Sequence, residues 1–91
     1  MVGKSVKWRS QGQGPAWATK WGKVIGTIDA GQSLFKKFPQ INKSNAAGGD
    51  IQKVDRWVVQ VTKKLDSKGK MITFTKPKYY TPHKHQKFEE I

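Results

Sequence analysis

Apolar and polar residues alternate with a period of two, and β-branched and aromatic residues gather in four short runs bounded by Gly, Pro, Asn or Asp. In the first, Val6-Lys7-Trp8-Arg9, the alternation predicts a strand with Val6 and Trp8 toward a core and Lys7 and Arg9 toward water or a ligand. Ser10 to Pro15 follows as a loop punctuated by two glycines and a proline. The second run, Trp21 to Ile28, places Val24 and Ile28 on one face with Gly22 and Gly26, and Trp21, Lys23, Ile25 and Thr27 on the other. Two glycines within a strand predict strong bending or the close approach of another backbone. The third run, Asp55 to Thr62, sets Trp57, Val59 and Val61 against Arg56, Val58, Gln60 and Thr62, and its density of β-branched residues predicts a central strand. Asp66-Ser67-Lys68-Gly69 supplies a turn, and Met71 to Thr75 returns with Ile72 and Phe74 inward until Pro77 ends the strand.

Residues 29–54 separate the second and third strands, too long a stretch for a hairpin connection. Within it, Gln32 to Pro39 suits one helical turn, with Leu34, Phe35 and Phe38 capping the core. Asn42 to Gly49 has turn chemistry and no apolar anchor, so it is expected to be exposed and mobile. Ninety-one residues make one domain. The expectation is therefore an all-β, small SH3-like barrel of four to five antiparallel strands, with a long loop at 29–54 and a basic C-terminal tail at 81–91. An OB-fold needs a longer chain and a further helix that the pattern does not supply.

The order Val6-Lys7-Trp8, a glycine-rich loop, Gly22-Lys23-Val24, a long insertion, Asp55 to Val61 and a closing aromatic-Pro segment resembles Tudor-like and KOW-like SH3 barrels. It is most similar to the hypervirulence-associated Tudor-like domains and to small barrel proteins often encoded by phages. The resemblance implies a five-stranded barrel that binds rather than catalyses. KOW-like relatives contact nucleic acid or the transcription and translation machinery; Tudor-like relatives bind methylated side chains in aromatic cages. Trp17, Trp21, Tyr79 and Tyr80 are the walls available for a cage, but no carboxylate sits beside them in the sequence, and the charge of the chain opposes a cationic ligand.

That charge narrows the field of partners. Eighteen Lys and Arg against six Asp and Glu give a formal net charge of +12, and the first acidic residue is Asp29. A field of this sign and size attracts polyanions. Basic and aromatic residues also interleave, and this mixture neutralises phosphates while stacking on unpaired bases. The candidate nucleic-acid contacts are Lys4, Lys7, Arg9, Trp17, Lys20, Trp21 and Lys23 in the first third of the chain, with Lys76, Lys78, Tyr79 and Tyr80 near its end. Trp8 and Trp57 are assigned to the core, Trp17 and Trp21 to a surface. With two arginines in all, little base-specific readout is expected, because bidentate base contacts favour arginine. DNA and RNA fit equally well.

Other chemistry finds little support. The chain has no cysteine, which removes thiolate nucleophiles and cysteine-ligated zinc and fits a reducing compartment. His83-Lys84-His85 falls short of a closed metal site, no glycine run has the phosphate-loop lysine spacing, and no serine sits in a nucleophile elbow. No enzyme activity and no cofactor are expected. The absence of a long apolar run predicts no membrane partner and a cytoplasmic protein. The alternative to nucleic acid is a protein-interaction module, phage-encoded or accessory, docking on an acidic surface of a larger host complex through residues 29–54 and Trp17. Lys63, Lys64, Lys68 and Lys70 are read as a solvated hairpin tip.

Overall fold

The structure, a computed structural model, describes residues 1–11 and 17–91. Its elements are β1 (Ser5–Gln11), β2 (Trp17–Ile28), α1 (Leu34–Lys37), β3 (Arg56–Leu65), β4 (Met71–Tyr80) and β5 (Glu89–Glu90). They form one antiparallel sheet in the order β4-β3-β2-β1-β5. The chain is all-β, as the alternation predicts; β4 and β5 lie at opposite edges, so the sheet is not closed. The expected glycine-rich loop after β1 lies largely outside the described residues.

The sheet buries apolar side chains on both faces. Val6, Trp8, Val24, Val59 and Val61 form one cluster, joined by the half-buried Trp57, Phe74, Tyr80 and Phe88. Ile28, Leu34, Ile41, Val58 and Tyr79 form a second, covered by residues of the insertion. Val58 and Val59 are both fully buried because successive strand residues point to opposite faces and each face here has a core.

A β-bulge distributes β2 between the two clusters. Val24 pairs with Val59 but Gly26 pairs with Val58, so Ile25 is an extra residue that inverts the alternation beyond it. Val24 therefore enters the first cluster and Ile28 the second, rather than sharing a face as simple alternation predicts. Gly22 meets the expected close approach of another backbone, whereas at Gly26 the close neighbour is a side chain. A Cβ at Gly22 would lie 2.3 Å from the Gln60 carbonyl oxygen, and one at Gly26 would lie 2.7 Å from the Phe38 ring.

Three other expectations are corrected. Pro77 does not end β4: Lys63 pairs with Thr73 and Val61 with Lys78, so residues 74–77 bulge out, and an edge strand tolerates the missing N–H there. Asn42 to Gly49 is anchored after all. The Tyr79 N–H donates to the Asn45 carbonyl and the Ala47 N–H to the Tyr79 carbonyl, both at 2.8 Å, while the buried Ile41 fixes the stretch at its start. Residues 81–91 are not a tail. The Trp57 N–H donates to the Pro82 carbonyl at 3.0 Å, Phe88 packs edge-on against Trp8, and β5 pairs with β1.

The helical turn appears where expected and is tied to the far end of the insertion. Ser33 caps α1, and the Asp50 carboxylate accepts from the Phe35 N–H and the Ser33 hydroxyl, each at 2.9 Å. These donors, the Phe35 N–H foremost, hold the Asp50 carboxyl below its ordinary pKa.

Candidate nucleic-acid interface

Register decides which basic and aromatic residues meet. Between β1 and β2, Val6 faces Gly22 and Trp8 faces Lys20; the intervening pairs, Ser5 with Lys23, Lys7 with Trp21 and Arg9 with Thr19, project from the opposite face. Trp17, two residues before Thr19, belongs to that opposite face as well. On its other side Trp21 pairs with Lys63, because Thr62 is an extra residue in β3. A row Lys7–Trp21–Lys63 thus crosses three strands.

The two tryptophans of this outer face each carry a cation. The Lys63 ammonium stands 5.2 Å from the Trp21 ring centroid, and the Arg9 guanidinium 5.6 Å from that of Trp17. Trp17 is 46% exposed, Trp21 is half-buried, and Arg9, Lys23 and Lys63 are exposed. Lys7, its side chain 41% exposed, bonds the exposed Glu89 of β5 at 3.3 Å, a solvent-screened pair that adds little stability. Lys4, exposed at the entry to β1, hydrogen-bonds β2 through its backbone carbonyl, which accepts from the Val24 N–H at 3.0 Å. A shallow hollow of about 360 Å³ lies beside Trp21 between Lys23, Lys63 and Gln60. Along β2, Trp17 and Trp21 are roughly 13 Å apart at the rise of an extended strand. Two accessible rings with cations around them have the chemistry to stack on unpaired bases and to neutralise phosphates.

The remaining expected contacts go elsewhere. Lys20 is only 4% exposed and points to the inner face, where its ammonium bonds the Ser10 hydroxyl and stands 5.1 Å from the Tyr80 ring. Burial first, then the nearby Lys64 and Lys78, lower its pKa. Lys20 and Tyr79 are corrected as direct contacts: Lys20 is enclosed, and Tyr79 is buried in the second cluster with its hydroxyl accepting from the Gln60 amide at 3.2 Å. Tyr80 and Lys78 are half-buried on the inner face, and burial raises the Tyr80 pKa. Lys76 is exposed on the β4 bulge. The walls proposed for an aromatic cage are therefore divided among different faces.

Lys63 belongs to the outer face although the hairpin-tip reading set it apart; its place depends on the Thr62 bulge, which no residue type announces. Comparisons with protein families, curated proteins and solved structures find no match to this chain.

Proposed function

We propose that this chain binds single-stranded nucleic acid, with little sequence preference, through the outer face of β1, β2 and β3. The observation that carries the proposal is the grouping of Trp17 and Trp21 with Lys7, Arg9, Lys23 and Lys63 on one side of the sheet, with a cation over each ring. Aromatic faces stack on bases of any identity, and lysines hold phosphates without reading sequence. DNA and RNA remain equally matched to this surface. The finer fold reading is an SH3-like barrel. A four-strand meander whose fifth strand returns to the free edge of β1, bent by bulges in β2, β3 and β4, supports it.

The test is fluorescence anisotropy with a labelled oligothymidylate and its RNA counterpart across a salt series. About four phosphate contacts predict a fall in affinity of roughly two orders of magnitude or less between 50 and 200 mM salt. Combined replacement of Lys7, Arg9, Lys23 and Lys63 by Gln should flatten that dependence. Affinity that stays constant with salt, or that survives the combined replacement, contradicts the proposal.

A further inference from the structure

A second site lies at the border of the inner face, where Trp8 and Tyr80 meet the start of β3, the start of the 81–91 segment and the Ala47-Gly48 turn. Trp8, Tyr80 and Pro82 line a groove of about 300 Å³, with Arg56 at its side. The Arg56 guanidinium is held in place by one hydrogen bond, Nη1 donating to the Thr81 carbonyl at 3.0 Å. Its Nε–H is buried and, among the described residues, meets no acceptor. Buried donors are nearly always paired, so the Arg56 guanidinium, which lines the groove, carries unused hydrogen-bonding capacity.

We propose that this groove receives a peptide segment that presents an acidic side chain beside an apolar one, the carboxylate bonding the Arg56 guanidinium and the apolar side chain lying among Trp8, Tyr80 and Pro82. Guanidinium and carboxylate are planar and match in a two-bond fork, and each carries one charge. A nucleic-acid backbone fits less well, because successive phosphates need spaced cations and, among the described residues, Arg56 is the one cation besides His83 that lines this groove. The volume lies at the low end for a small-molecule pocket, and the groove is open to solvent, so it suits side chains of a larger partner more than an enclosed metabolite. The net charge of +12 favours the approach of an acidic partner. This site is independent of the outer face.

The test is an NMR titration of ¹⁵N-labelled protein with two capped dipeptides, acetyl-Phe-Asp-amide and acetyl-Phe-Asn-amide, and with phenyl phosphate. The Asp peptide should move the Arg56 Nε–H and Trp8 indole resonances and leave those of Trp17 and Trp21 in place. Its affinity should exceed that of the Asn peptide by roughly tenfold or more, the worth of a charge-assisted fork. Arg56→Gln should remove the preference for Asp, and Arg56→Lys, which keeps the charge but not the fork, should reduce it. Equal responses to the two peptides, or tighter binding of phenyl phosphate, overturn the proposal, and both outcomes are read on the wild-type protein whether or not the variants fold. Because the oligonucleotide experiment reports on other residues, either proposal is able to fail alone.

Discussion

Lys20 and Lys63 stand at almost the same distance from an aromatic ring, 5.1 Å from Tyr80 and 5.2 Å from Trp21, yet they occupy opposite faces of one sheet. Lys63 is exposed beside a half-buried ring, and its charge is solvated and available. Lys20 is enclosed with Lys64 and Lys78 near it, and burial works against its charge. A cation beside an aromatic ring thus stands in solvent on one face and is enclosed on the other, where burial disfavours its charge. Solvent access, not the proximity of cation and ring, distinguishes the two pairs.

The largest expected effect separates the tryptophans of the two faces. Trp8→Ala, which empties the inner cluster, should cost about 3–5 kcal/mol in denaturant unfolding, a large part of the stability of a domain this small. Trp17→Ala should change stability by less than about 1 kcal/mol and weaken oligonucleotide binding by about 1–3 kcal/mol. Comparable losses of stability in both variants would erase the distinction between the faces.

Next in size is Gly22→Ala. The added Cβ meets backbone, the Gln60 carbonyl oxygen at 2.3 Å, so β2 and β3 have to separate. A loss of about 1–3 kcal/mol is expected, together with weakened nucleic-acid binding, because the Trp21–Lys63 pairing depends on the same register. Unchanged thermal unfolding would show that the β2–β3 approach is looser than described.

The smallest effect has the opposite sign. Lys20→Met keeps the length of the side chain and removes a charge that burial disfavours, so it should stabilise the fold by about 1 kcal/mol, or roughly 4–8 °C in Tm. The pH dependence identifies the cause. With a folded pKa below the ordinary 10.5, Lys20 binds fewer protons in the folded than in the unfolded state between those two values. Wild-type stability should therefore gain with rising pH through that window relative to Lys20→Met, and the advantage of the variant should shrink. Lys63→Met should leave stability nearly unchanged and weaken binding instead. An advantage independent of pH would assign the stabilisation of Lys20→Met to packing.

Much of this architecture was legible in residue order, and the failures have a common origin. Alternation located the first four strands, and the glycines of β2 announced close approaches that the structure contains. The errors follow from bulges and from tertiary hydrogen bonds. Ile25 and Thr62 carry no mark of being extra residues, yet they send Ile28 to the second cluster and Lys63 to the outer face. Asn42 to Gly49 contains no large apolar residue, and its anchor is the backbone of Tyr79, more than thirty residues away in sequence. Lys20 of β2 lies among basic and aromatic residues much as Lys7 and Arg9 do in β1, but it pairs with Trp8, and that partner fixes its face. Arg56 drew no attention because its significance lies in one unpaired buried nitrogen.

The four indole N–H groups allow the most direct test of the central claim, since Trp17 and Trp21 belong to the outer face while Trp8 and Trp57 pack with the inner cluster. In a ¹H–¹⁵N titration with a single-stranded oligonucleotide of about 15 nucleotides, the Trp17 and Trp21 indole resonances should shift together along one binding curve, with Trp8 and Trp57 nearly still. Shifts concentrated at Trp8 and Trp57, or a saturating interaction that leaves Trp17 and Trp21 unmoved, would contradict the account.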